Sequence, residues 1–141
     1  MRILLLHSSS DLYGASKIFL QTILLLKRIG HTCYVVVSAE GPLVEKLKLE
    51  NIQVTVLNLG VLRRKYFSPL GIVNRLNKWY KASSYLNKYI QQKGIEIVYA
   101  NTTAVIFGAW LAKKNNIKHI WHVHEIIEKP KFLFHAIQWI M

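Results

Sequence analysis

Cysteine, proline and acidic residues are all scarce: 1 Cys, 3 Pro and 7 Asp plus Glu occur in 141 residues. The single Cys33 excludes an internal disulfide framework and suits a reducing compartment. It lies in the run TCYVVVS, which reads as a buried strand, whereas a reactive thiolate needs an exposed, electropositive niche. No stretch of about 18 uncharged apolar residues is present, so nothing reads as a transmembrane helix. The opening apolar run ILLL stops too soon for a signal peptide, and Ser, Asp, Tyr and Gly follow it rather than a cleavage pattern. The first turn carries neither GxGxxG nor GxxxxGKS/T, which argues against a dinucleotide fingerprint and a P-loop. HExxH and paired cysteines are missing too, so no metal site is expected.

What the chain has in excess is positive charge. Nineteen Lys and Arg give a formal net charge of +12. Such a balance concerns partners rather than fold. Nucleic acid, an anionic membrane surface and a phosphorylated substrate would all answer to it. Apolar residues make up 52% of the chain, enough for one sizeable core, and residues 1–141 read as one domain. The last segment, FLFHAIQWIM, stops on the final residue, so the chain is expected to be a fragment.

Strand and helix periods alternate along the chain. Residues 2–7, 32–38 and 52–59, IEIVYA and IKHIWHV read as five apolar strands. Residues 15–29 are apolar nearly all round, which predicts a well-buried helix closed by Gly30. Pro42 opens a short helix. A long helix is expected from about Pro69 to Gly94, with Ile72, Leu76, Trp79, Ser83, Leu86 and Ile90 inward. A further helix is predicted over 103–115. The order implies an α/β fold: a Rossmann-like parallel sheet with helices on both faces. Ligands of such sheets sit at the carboxyl ends of the strands. The candidate positions are therefore 8–16, 39–42, 60–68, 101–103 and 122–128.

In SSSDLYGASK, one glycine stands where a helix should start. Small residues at Gly14, Ala15 and Ser16 let an anion approach free backbone N–H groups. The alternative is a simple turn with Ser16 as a cap. His122 and His124 share a strand face, and a histidine at that edge can act as a base or orient a hydroxyl. Glu125 can hold the imidazole or meet a sugar hydroxyl, or is a solvated edge charge. Asn101 and Thr102 can cap the next helix or bind ligand hydroxyls. Arg63, Arg64, Lys65, Tyr66 and Phe67, followed by Lys78 and Lys81, interleave bases with aromatics, as in a lipid headgroup zone. No nucleic-acid-binding motif accompanies them, which argues against nucleic acid.

The run from Ser8 to Leu59 resembles the amino-terminal domain of family 4 GT-B glycosyltransferases. The likeness rests on YGAS (13–16), KRIGH (27–31), GPLVEKL (41–47), VYANT (98–102) and HVHEI (122–126), and it covers essentially the whole chain. It implies one half of a GT-B fold: an acceptor-side domain of a retaining, metal-independent enzyme that moves a sugar from a nucleotide-sugar co-substrate. The implied acceptor is a polysaccharide or lipid-linked precursor, and the implied location is cytoplasmic, peripheral at the inner face of a membrane. Tyr13, Gly14, Ala15 and Ser16 would reach the donor diphosphate. His124 would be the catalytic histidine, with Asn101, Thr102, His122 and Glu125 at the acceptor. Where the family often has two adjacent glycines in the first loop, this chain has Tyr13-Gly14-Ala15. The carboxyl-terminal donor-binding domain has no counterpart in these residues, so the chain alone is expected to be inactive. Two alternatives stand beside this reading: a non-catalytic partner subunit of a split glycosyltransferase, and a basic nucleic-acid-binding Rossmann module.

Overall fold

The computed structural model describes residues 1–60, 69–102 and 107–124. Strands β1 (Arg2–His7), β2 (Thr32–Val37), β3 (Gln53–Val56), β4 (Ile97–Asn101) and β5 (Lys118–His122) form one sheet in the order β3-β2-β1-β4-β5. Every pairing is parallel. Helices α1 (Gly14–Arg28) and α2 (Pro42–Leu49) cover one face, and α3 (Pro69–Lys93) and α4 (Phe107–Lys114) the other. Chain direction along the sheet reverses between β1 and β4, the topological switch point at which such folds bind ligands.

The strands are apolar on both sides because both sides are covered. Ile3 and Leu5 pack with Val35, Val37, Phe19, Ile23, Leu43 and Leu47 on the α1–α2 face. Leu4 and Leu6 pack with Val98, Leu86, Ile90, Phe107 and Leu111 on the α3–α4 face. The helices end alike. Gly30, Asn51, Gly94 and Asn116 take positive φ just past α1, α2, α3 and α4, and the following N–H closes back onto the last turn.

Three expectations change. Helix α1 is not buried all round: Ser16, Phe19 and Ile23 are its buried residues, while Ile18, Leu25 and Ile29 are exposed. A helix lying on one sheet face buries one stripe, whatever the composition of the rest. The third strand is Gln53–Val56 rather than 52–59. It is an edge strand beside β2, and β2 ends at Val37, so little remains for residues after Val56 to pair with. Leu59 instead turns into the α3–α4 core. The fifth strand is also an edge, and its Ile120 is 47% exposed.

The one-sidedness of α1 has a thermodynamic signature. Ile23→Val is expected to cost roughly 0.5–1.5 kcal/mol, since the buried side chain loses a methylene to a cavity. Leu25→Val, on the exposed side, is expected to stay within about 0.5 kcal/mol. Paired urea denaturation curves check both; equal losses would mean that α1 is enclosed.

Candidate functional site

The register sets His7 of β1 opposite Asn101 of β4, and Asn101 opposite His122 of β5. All three stand at the carboxyl ends of their strands, on the face covered by α1. Three polar residues therefore form a row across the switch point. Phe19 lies beneath, its ring 4.7 Å from that of His7.

A continuous hydrogen-bonded chain joins this row to the loop after β1. Ser16 Oγ donates to Asp11 Oδ1 at 2.7 Å and lies 2.8 Å from His7 Nε2. Asn101 Nδ2 is 3.0 Å from His7 Nδ1 and donates to the Ala15 carbonyl at 3.3 Å. Asn101 Oδ1 is 2.8 Å from His124 Nε2. Asn101 itself is 0% exposed. Buried amides persist where their donors and acceptors are matched, which is the case here.

Helix α1 starts without a side-chain cap. The Ser16 N–H is taken by the Tyr13 carbonyl at 2.9 Å, while the N–H groups of Gly14 and Ala15 have no acceptor among the described residues. Gly14 has φ +41°, in the left-handed region where a side chain is strained. The α2 turn supports the same loop: Leu43 N–H donates to the Ser10 carbonyl at 2.9 Å. A Cβ on Gly41 would stand 2.7 Å from that carbonyl oxygen, so glycine permits the contact. The loop after β1 is thus held from both sides, and two backbone donors open at its end.

The His122 and His124 rings lie against each other, centroids 4.0 Å apart and tilted by 38°. The Tyr99 hydroxyl meets His122 Nδ1. Thr102 adopts φ +77°, an unusual conformation for a β-branched residue. Its N–H bonds the His122 carbonyl at 2.9 Å and its carbonyl accepts from Trp121 Nε1 at 3.0 Å, so the neighbours hold the strained backbone in place. Strain of this kind gathers at functional sites.

The expected site residues therefore divide. Gly14, Ala15, His122 and His124 lie at one edge of the sheet, with Tyr13 exposed beside them. Ser16, Asn101 and Thr102 are buried. Ser16 is neither cap nor surface donor: its hydroxyl faces inward to Asp11 and His7. Glu125, Arg63, Arg64, Lys65, Tyr66 and Phe67 lie outside the described residues. Lys81 is exposed on α3 and Lys78 partly so. His7, Asp11 and Tyr99 were not legible as site residues. A polar residue closing an otherwise apolar strand next to the switch point was the available signal for His7. Among the described residues no group of three His, Cys, Asp or Glu is placed to hold a metal ion, and no helix is long and apolar enough to cross a membrane.

The Ser9 and Ser16 hydroxyls, followed by the Tyr13 N–H, hold the Asp11 carboxyl below its ordinary 3.8. Burial lowers His119 below 6.5; burial and then the neighbouring His124 lower His122 below the same value. Below pH 6.5 the unfolded chain takes up protons at these two histidines that the folded chain resists, so stability is expected to fall as pH falls from 6.5. A second loss is expected below pH 3.8, where Asp11 is protonated in the unfolded chain before the folded one. Thermal midpoints measured across this range check both steps, and His119→Gln should reduce the first.

No family model and no curated protein matches the chain by sequence. Solved structures do match it. HepE of Anabaena, in complex with UDP and glucose, aligns with a TM-score of 0.68 at 19% identity, over 99% of this chain and 35% of its own. MurG of Acinetobacter baumannii aligns with a TM-score of 0.68 at 15% identity, over 99% of this chain and 38% of its own. A glycosyltransferase from Rickettsia africae gives 0.68 at 22% identity, over 96% and 32%. The chain thus spans about a third of the length of these structures. At such identities what is shared is the fold, and the chain has the Rossmann-like architecture of one half of a GT-B glycosyltransferase.

Proposed function

We propose that the chain is the acceptor-side half of a retaining glycosyltransferase of family 4, which transfers a sugar from a nucleotide sugar to a saccharide or lipid-linked acceptor. One observation carries the reading: the backbone donors of Gly14 and Ala15 and the imidazole of His124 converge on the switch-point edge of a GT-B half. Negative charge develops on the leaving diphosphate during transfer. Helix-start N–H groups meet such charge without reorganising. His124, anchored to Asn101, can then orient the reacting sugar or its acceptor. Asn101 serves from behind, by fixing His124.

The remaining nucleotide contacts belong to a donor-side half, on the same polypeptide or on a partner subunit, in an enzyme that needs no metal. These 141 residues alone are expected to give no sugar transfer from a panel of nucleotide sugars, whereas addition of a donor-side half restores it. Turnover by the chain alone would sink the reading. The outer face of α3, with Val73, Tyr80 and Lys81 exposed, supports a peripheral seat on the anionic cytoplasmic face of a membrane. Sedimentation with anionic but not neutral vesicles is the expected result.

A further inference from the structure

His7 is a buried imidazole to which the reading above gives no part. Four hydrogen bonds run from Asp11 through it to His124, and each has a single available direction. The Asp11 carboxylate only accepts, so the Ser16 hydroxyl donates to it at 2.7 Å. That commits the hydroxyl proton, and the Ser16 oxygen therefore accepts from His7 Nε2 at 2.8 Å. With its hydrogen on Nε2, the neutral His7 ring has a lone pair at Nδ1, which accepts from Asn101 Nδ2 at 3.0 Å. The Ala15 carbonyl, which can only accept, lies 3.3 Å from Asn101 Nδ2 and agrees with this facing of the amide through a longer, weaker contact. Asn101 Oδ1 is left toward His124, whose Nε2 at 2.8 Å must be the donor.

We infer that Asp11, Ser16 and His7 are positioning residues for His124: their directed chain keeps His124 Nε2 protonated and turned inward, and presents Nδ1 to the substrate as hydrogen-bond acceptor and base. The substrate in this statement rests on the transferase reading; the tautomer does not. The loop that carries the helix-start donors and the histidine at the far side of the switch point are then one unit, joined through the sheet.

Long-range proton–nitrogen correlation spectra of the isotope-labelled chain test this, with His124 assigned by the loss of its signals in His124→Gln. The neutral His124 ring is expected to show a pyridine-like Nδ1 and a pyrrole-like Nε2, and the buried His7 Nε2–H to be visible through slow exchange. Ser16→Ala removes the acceptor of that N–H. Loss of the His7 signal and the appearance of a second His124 tautomer are expected. Ser16→Thr, which keeps a hydroxyl, should restore both. Asp11→Asn, at an exposed position, should give the same change in weaker form without threatening the fold. A His124 ring protonated at Nδ1 in the unsubstituted chain would overturn the inference. So would a His124 ring unchanged in both Ser16→Ala and Asp11→Asn. Failure of sugar transfer would remove the substrate but leave these spectra standing, so the two failures are distinguishable.

Discussion

His124→Ala, in a polypeptide or complex carrying both halves, is expected to lower turnover about 10²- to 10⁴-fold, the range of a positioned acid–base or orienting group. That corresponds to roughly 3–5 kcal/mol of transition-state stabilisation. The fold should survive. His124 is only partly buried and, among the described residues, makes one hydrogen bond, to Asn101; the freed amide oxygen gains access to water through the space vacated. A stability loss of no more than about 1.5 kcal/mol is therefore expected. Steady-state rates beside a thermal melt separate the two effects. A normally folded variant with unchanged turnover would reject the role of His124.

Asn101→Leu is expected to act chiefly on the fold, at about 2–5 kcal/mol. The leucine keeps the volume and deletes every polar contact of the amide. His7 Nδ1 loses one donor, the Ala15 carbonyl is left with its place in the helix ladder, and His124 Nε2 loses its acceptor. Each buried polar group left unmatched costs about 1–3 kcal/mol, and His124, nearer solvent, is the least affected. Asn101→Asp discriminates between lost packing and lost hydrogen bonding. A carboxylate cannot donate to His7 or Ala15, and it would be a buried charge. This variant should be unstable at neutral pH and regain stability as the carboxyl is protonated. Denaturant midpoints of both variants at neutral and mildly acidic pH check the pair, and a loss under about 1 kcal/mol for Asn101→Leu would show that the network is not cooperative.

Much of the architecture could be read from periodicity. Gly30 and Gly94 stand where two helices end, and Trp79, Ser83, Leu86 and Ile90 line the inner side of α3 as their spacing indicates. What escaped depends on neighbours. Ile18, Leu25 and Ile29 look like core residues until the number of faces that α1 has to cover is known. The same holds for Ile120, which is apolar on an edge strand. His7 is the sharpest case. Alone it marks the end of a strand. Its meaning comes from the parallel register with Asn101, a pairing between distant parts of the chain that no local pattern encodes. Ser16 shows the reverse: placed near the correct helix start, its hydroxyl faces the protein, between Asp11 and the buried His7, rather than a ligand. The proposed anion site of the loop therefore rests on the backbone N–H groups of Gly14 and Ala15.

The most direct measurement is an amide- and ring-resolved titration of the chain with uridine diphosphate, the ligand seen with HepE. Shifts concentrated at Gly14, Ala15 and the His124 ring are expected, and they should be diminished by Gly14→Ala, which strains the backbone at φ +41°. No shift at these positions at saturating nucleotide, or shifts confined to another surface, would contradict a diphosphate site at the switch-point edge.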